Sequence, residues 1–237
     1  MNLLIDIGNT AIKLALAENN IITKIYRSNT NSLFTFVENI VKNNSLDIIA
    51  LSSVKDIDNI LFKLLEENSN KFLKVDNNLN LPLKNKYKTP KTLGVDRMCA
   101  VIGAYSLFPG ENIMVIDIGT AITYDFINSK NEYMGGNISP GFNIRTKALN
   151  KYTDKLPLVN LTEDFLEIGD NTSDAIKSGI IIGIVNEIEG YLKKYPKFKV
   201  IFTGGDAFYF AKKMKTCIFV VCNIVLNGLL KIIEINA

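Results

Sequence analysis

With 237 residues, 47% of them hydrophobic, the chain can supply the core of one large or two small domains and should fold as a compact globular protein. A formal charge of +3, from 27 basic and 24 acidic residues, is too slight to argue for a nucleic-acid partner, and no basic run is interleaved with aromatics. Histidine is absent, which removes the commonest general base and every imidazole metal site, so proton chemistry must fall to carboxylates, Lys or Tyr.

The first strand is read over Leu3 to Ile5 and a second over Leu14 to Ala17, with a tight polar turn around Gly8 set between these apolar runs. Gly8 lets the backbone approach a ligand, and successive N–H groups in such a turn can form an anion-binding nest. Thr10 adds a hydroxyl and Lys13 a cation, while Asp6 would be the one carboxylate near bound phosphates. A carboxylate is tolerable there mainly when a metal ion or its water lies between. A third strand, Ile21 to Tyr26, completes an antiparallel meander. Thr30 or Ser32 should then cap a helix carrying Leu33, Val37, Ile40 and Val41 on one face. Asp47 to Ser52 reads as a strand, Ile57, Ile60, Leu61, Leu64 and Leu65 recur at helical spacing, and Lys71 to Val75 reads as another strand. This alternation predicts mixed sheets covered by helices, an α/β layered architecture.

From Asp76 to Lys91 the chain is rich in Asn and Lys and shows no period, which predicts a loop. Lys42, Lys84, Lys86, Lys88 and Lys91 are scattered and read as solvated surface. Asp96 and Arg97 fall in the first turn of a helix bearing Met98, Val101, Ile102 and Tyr105. A carboxylate there is ordinary, but a cation is disfavoured by the helix dipole. Pro109-Gly110 stops this helix and marks a boundary between halves, residues 1–109 and 110–237.

The second half opens by repeating the first turn. Asp117-Ile118-Gly119-Thr120-Ala121-Ile122 matches Asp6-Ile7-Gly8-Asn9-Thr10-Ala11-Ile12 with Asn9 left out, between apolar runs Ile113 to Val115 and Tyr124 to Ile127. A lone Asp-x-Gly is compatible with a plain hairpin turn. Two copies in matching context predict duplicated halves whose turns face each other across a polyphosphate. A third strand near Glu132 to Ser139 follows, then a helix through Ile144 and Leu149. Gly169 to Asp174 should cap a long helix bearing Ile176, Ile180, Ile184, Ile188 and Tyr191. The buried strand Val200 to Phe202 ends in Thr203-Gly204-Gly205-Asp206-Ala207, where paired glycines would let a flat ligand lie against the backbone. Ile218 to Leu230 is interrupted by Asn223, Asn227 and Gly228, too short to span a bilayer, and reads as a buried strand followed by a packed helix. Cys99, Cys217 and Cys222 contain no Cys-x-x-Cys pair, so neither a disulfide framework nor a structural zinc site is indicated, and a reducing cytoplasm is expected. The N-terminus does not read as a signal peptide, because Asp6 follows only a few apolar residues without a basic leader.

Taken together, Asp6-x-Gly8-Asn9-Thr10 with Lys13, Gly94-x-Asp96-Arg97, Asp117-x-Gly119-Thr120-Ala121, Gly135-Gly136-x-Ile138-x-Pro140-Gly141 and Thr203-Gly204-Gly205-Asp206-Ala207 resemble the type III pantothenate kinases, in order and over nearly the whole chain. The resemblance implies the actin, hexokinase and Hsp70 type of fold, two duplicated ribonuclease H-like domains with ATP in the cleft between them. It implies ATP binding by Asp6, Ile7, Gly8, Asn9, Thr10, Ala11, Ile12 and Lys13, with Thr120 also touching the nucleotide. By the same resemblance Asp96 is the general base toward the primary hydroxyl of pantothenate. Tyr87, Gly94, Val95, Asp96, Arg97 and Thr172 would hold that substrate, and Asp117 would bind a monovalent cation, K+ or NH4+. Magnesium, a homodimer whose substrate site is completed near the subunit interface, and a place at the first step of coenzyme A synthesis complete the expectation, with no nucleic-acid or membrane partner. The chemistry agrees, because phosphoryl transfer to an alcohol needs positioning, charge neutralisation and a nearby carboxylate more than covalent participation. The alternative is a non-catalytic, nucleotide-binding transcriptional accessory protein of the same family, which intact Asp6, Asp96 and Asp117 disfavour.

Overall fold

The computed structural model describes residues 1–29, 33–76, 79–214, 216 and 218–237. The cap expected from Thr30 or Ser32 lies outside them, as does Cys217.

Two compact units are present, one formed by 1–111, 127–135 and 223–237, the other by 112–126 and 136–222. In the first, β1 (Asn2–Ile7), β2 (Ala11–Glu18) and β3 (Ile21–Asn29) form the antiparallel meander. β4 (Ile48–Ser53) runs parallel to β1, and β5 (Lys71–Lys74) parallel to β4, giving the order β3-β2-β1-β4-β5. Leu3, Leu4 and Ile5 are consecutive yet all buried. A continuous apolar run of this kind marks a central strand covered on both faces. One cover is α1 (Leu33–Lys42) and α2 (Asn59–Glu67), whose Val37, Ile40, Val41, Leu61 and Leu65 join β1, β2 and β4 in one core. Asp58 caps α2 by accepting from Leu61 N at 2.6 Å, so this helix starts after Ile57, which the spacing had placed on it.

The other cover is α3 (Val95–Leu107) with the C-terminal α7 (Ile224–Asn236), which pack on each other and against β1 and β4. Their backbones approach closely because a Cβ at Gly103 would collide with Ile224 O, and one at Gly228 with Cys99 O. The expected 76–91 loop contains a two-residue strand, β6 (Lys84–Asn85), and leads to a short 3-10 turn at Pro90–Thr92 before α3.

The second sheet repeats the first topology. β7 (Ile113–Ile118), β8 (Ala121–Ile127), β9 (Glu132–Pro140), β10 (Lys199–Thr203) and β11 (Phe219–Val220) lie in the order β11-β10-β7-β8-β9, with β6 added beyond β9. Read from its other end, that is the order of β3-β2-β1-β4-β5. α4 (Phe142–Tyr152) and α5 (Thr172–Lys194) bring Phe142, Ile176, Ile180, Ile184 and Ile188 into one core with β7, β8, β10 and α6 (Ala207–Ala211). Asn171 caps α5 by accepting from Asp174 N at 3.0 Å, within the capping segment expected from sequence. β11 departs from expectation: Phe219 is 45% exposed, because this short strand forms the open edge of its sheet, and only α7 of the 218–230 tract is deeply buried.

Candidate active site

In the first unit, β1 and β2 are joined by Gly8, Asn9 and Thr10 alone, a shorter turn than the sequence suggests, because Ala11, Ile12 and Lys13 already belong to β2. Gly8 N–H closes it by donating to Ala11 O at 3.0 Å. Asn9 and Thr10, at the tip of the turn, are exposed. Lys13 stands opposite Asp6 across the ladder, and Ser52 of β4 stands opposite Asp6 on its other side. Residues in register share a face, so Lys13, Asp6 and Ser52 form one row.

That row meets the start of α3. Gly94 is its N-cap, and Asp96 Oδ1 accepts from Arg97 N at 2.8 Å. A Cβ at residue 94 would lie 2.6 Å from Asp96 Oδ1, so the glycine makes room for the carboxylate. Arg97 is buried, with 7% exposure, at a helix end whose dipole disfavours a cation. Cys99, one turn on, is buried between these groups. Burial pushes its thiol well above the usual range, the carboxylates of Asp6 and Asp96 push it further, and the hydroxyl of Ser52 opposes them. The same buried thiol therefore senses both acids. Ser52 Oγ is wholly buried and has no conventional hydrogen-bond partner, its polar company being this weak thiol. Neither Ser52 nor Cys99 was singled out for the site by sequence, and neither carries a local motif that would have flagged it.

Tyr87 is half-buried, its N–H donating to Asn85 Oδ1 at 2.9 Å and its ring 6.1 Å from that of Tyr133. Gly135, with φ +101°, lies beneath it: a Cβ there would sit 3.3 Å from Tyr87 Cδ2. The second glycine-rich motif thus serves partly as a seat for this tyrosine.

In the second unit, Gly119 and Thr120 join β7 to β8, with Gly119 N donating to Ala121 O at 3.1 Å. Asp117 pairs with Thr203 of β10, a buried hydroxyl residue standing where Ser52 stands beside Asp6. Two glycines pack on this turn. Gly204, at φ +96°, leaves no room for a Cβ against Asp117 Oδ1 and Ile118 O, and Gly141 leaves none against the carbonyls of Gly119 and Thr120. Asp206 N donates to Ile118 O at 2.9 Å, and burial holds the Asp206 carboxyl above its ordinary value. Val95 opens α3, whereas Thr172 opens α5 and lines a groove of about 1030 Å³ with Arg145, Tyr152 and Asn171.

Among the described residues no three His, Cys, Asp or Glu side chains gather into a metal site. A single carboxylate such as Asp6 suits magnesium that arrives on phosphate oxygens and water, since this ion is commonly held by one or two carboxylates plus substrate phosphates. No helix among the described residues is long and apolar enough to cross a membrane.

Solved structures share this architecture. The chain superposes on a protein from Campylobacter jejuni described as a Baf family transcriptional activator, with TM-score 0.64 and 24% identity over 99% of this chain and 98% of that one. It also matches an inorganic polyphosphate/ATP-glucomannokinase from an Arthrobacter species, with TM-score 0.51 and 14% identity over the whole of both chains. At such identities the likeness speaks of fold alone, and that fold is the actin, hexokinase and Hsp70 type shared by sugar kinases. A profile described as type III pantothenate kinase matches residues 2–194. Relatives bearing that name from Bacteroides fragilis and Christiangramia forsetii are 40% and 42% identical over 100% of this chain, covering 98% and 99% of their own lengths. The chain belongs to the type III pantothenate kinase family.

Proposed function

We propose that this chain transfers the γ-phosphoryl group of ATP to the primary hydroxyl of pantothenate, the first step toward coenzyme A. The observation that carries the reading is family membership over the full chain, at 40% identity and with almost nothing of the relatives left uncovered. The site chemistry is consistent with it.

Asp96 accepts the proton of the attacking hydroxyl. Its carboxylate is held at a helix N-terminus, over a glycine that leaves it room. In a loose transition state the proton leaves late, so the base need not be strong. Lys13 and the Asn9–Thr10 segment, with Asp6, Ile7, Gly8, Ala11 and Ile12 around them, take the nucleotide phosphates, and Thr120 supplies a further nucleotide contact. Asp6 is the carboxylate that would hold magnesium through water, and the ion would offset phosphate charge there. Tyr87, Gly94, Val95, Arg97 and Thr172 hold pantothenate.

Asp117 binds a monovalent cation, potassium or ammonium. What supports this is a difference in the repeat: the position matching Lys13 is Thr123, whose Oγ1 donates to Asp125 Oδ2 at 3.0 Å, so the second turn lacks the lysine of the first. A homodimer accounts for the exposed Thr172 on an apolar groove, where a second copy would complete the substrate site. The enzyme works in the cytoplasm, where its substrates are.

The test is ADP release with ATP, magnesium and pantothenate, in potassium and in sodium, for wild type and Asp96→Asn. Pantothenate-dependent turnover that needs potassium and falls about 10²- to 10⁴-fold in the variant supports the assignment. Folded wild-type protein that releases no ADP under any of these conditions overturns it.

A further inference from the structure

Three elements converge on one carboxylate of α5 that the reading above does not use. Glu187, in the middle of α5, accepts through Oε1 from Tyr124 Oη of β8 at 2.8 Å. Its Oε2 accepts from Ser139 Oγ of β9 at 3.0 Å and from Arg145 Nη2 of α4. Arg145 Nη2 also donates to Ser139 Oγ at 2.9 Å, and its Nε donates to Pro140 O at 2.7 Å. Both charged side chains are about three-quarters covered, with 21% and 26% exposure, so the pair is shielded more than a surface ion pair. Gly183 of α5 faces the guanidinium, and a Cβ there would lie in ordinary contact, 3.6 Å from Arg145 Nη1. The Tyr124 ring is stacked on Tyr191 of the same helix, centroids 3.9 Å apart.

The consequence lies one residue along the chain. Pro140, whose carbonyl Arg145 grips, precedes Gly141, whose N–H donates to Thr120 O at 3.1 Å. Gly141 presses against the carbonyls of both Gly119 and Thr120 with no room for a side chain. A movement of the 139–141 segment therefore moves the turn that carries Thr120.

We propose that Arg145, Glu187 and Ser139 are positioning residues that hold the Gly119–Thr120 turn in its nucleotide-binding geometry, an inference that rests on the assignment of Thr120 as a nucleotide contact. None of the three touches nucleotide. They act through the Pro140 carbonyl and the Gly141 backbone. The arginine fork suits this role because it grips a carboxylate, a hydroxyl and a carbonyl at once, which lysine cannot reproduce.

The experiment compares Arg145→Met, Arg145→Lys and Glu187→Gln with wild type, measuring KM for ATP, KM for pantothenate, kcat and Tm. Arg145→Met should raise KM for ATP about tenfold, the scale of one charge-assisted hydrogen bond, with KM for pantothenate within about twofold. Arg145→Lys should recover only part of the loss. Glu187→Gln should move KM for ATP in the same direction by about threefold, and the double variant Arg145→Met/Glu187→Gln should be no worse than Arg145→Met, because the residues act as a unit. A fall in Tm with KM for ATP unchanged would make the cluster a mere brace between helices and overturn the proposal. A rise confined to KM for pantothenate would also overturn it, assigning Arg145 to the groove it shares with Thr172. Equilibrium binding of ATP with magnesium to the same variants separates this outcome from failure of the kinase assignment. Wild type that binds ATP without pantothenate-dependent turnover indicts the assignment, whereas variants that bind ATP as tightly as wild type indict the positioning cluster.

Discussion

At the end of β1, Asp6 faces a lysine across one ladder and a serine across the other, and the turn beyond it is left uncrowded: a Cβ added at Gly8 would meet only Ala11 O, at 3.2 Å. At the end of β7, Asp117 has Thr203 beside it, and two further loops press on the turn through Gly141 and Gly204. The two carboxylates occupy equivalent places in duplicated topologies, yet the first turn keeps a lysine opposite its acid and room at its glycine, while the second has Thr123 at the lysine's position and is packed by Gly141 and Gly204. A turn that must adapt to a flexible polyphosphate gains from the first arrangement. A turn that must present a fixed carboxylate and hydroxyl gains from the second. Duplication supplied one turn twice, and the residues packed around each copy decide its use.

The largest effects should come from exchanging charge at the two acids. Asp6→Asn should lower kcat/KM for ATP by about 10²- to 10³-fold, since it removes the carboxylate proposed to hold magnesium and leaves Lys13 without its cross-strand acid. Asp117→Asn should cost about tenfold at saturating ATP and abolish the difference between potassium and sodium. Steady-state kinetics in each salt distinguish them. If Asp6→Asn rather than Asp117→Asn erased the potassium response, the roles assigned to the turns would have to be exchanged.

Glycine substitutions probe rigidity directly. Gly204→Ala places a Cβ against Asp117 Oδ1 and Ile118 O and forces alanine to φ +96°, so it should destabilise the protein by about 3 kcal/mol, a fall in Tm of roughly 6–12 °C. Gly8→Ala should cost under about 1 kcal/mol, since a flexible turn can give the few tenths of an ångström required. Its effect should appear in KM for ATP instead. Thermal unfolding of both variants checks the contrast, and equal losses of stability would remove it. Gly94→Ala belongs with Gly8→Ala: the clash is with the Asp96 carboxylate alone, so kcat should fall about tenfold with little change in Tm.

The parts of this contrast that were legible in sequence are those carried by adjacent residues. Asp-x-Gly between apolar runs announces a strand, a turn and a strand, and Asp96 before a helical period announces a carboxylate at a helix start. The repeat itself is visible because strand, turn and acid recur together. What surrounds each copy is not, since Ser52 reaches Asp6 from 46 residues away and Glu187 reaches Arg145 across 42. No periodicity encodes such pairs. The helix pair α3 and α7 is hidden for the same reason: Gly103 and Gly228 look like ordinary weak points in helices until their backbones are seen to touch. Phe219 shows the converse error, in which an apolar run promised a buried strand and became an edge.

The smallest effect is a pH dependence within the crowded turn. Asp206 holds Ile118 through its backbone N–H while burial raises its carboxyl pKa. A raised folded-state pKa means that the protonated acid is favoured on folding, so its contribution is fully present below the ordinary carboxylate range and is lost as pH rises through the raised value. At neutral pH the ionised group is therefore a burden on the fold. Asp206→Asn, which keeps the backbone donor and removes the charge, should leave Tm nearly unchanged at pH 4 and raise it at pH 7. The opposite trend, a variant weaker at pH 7 than at pH 4, would mean that the Asp206 carboxylate is stabilised by a cationic or hydrogen-bonding neighbour as it ionises, and that the second turn is less dry than its glycine packing indicates.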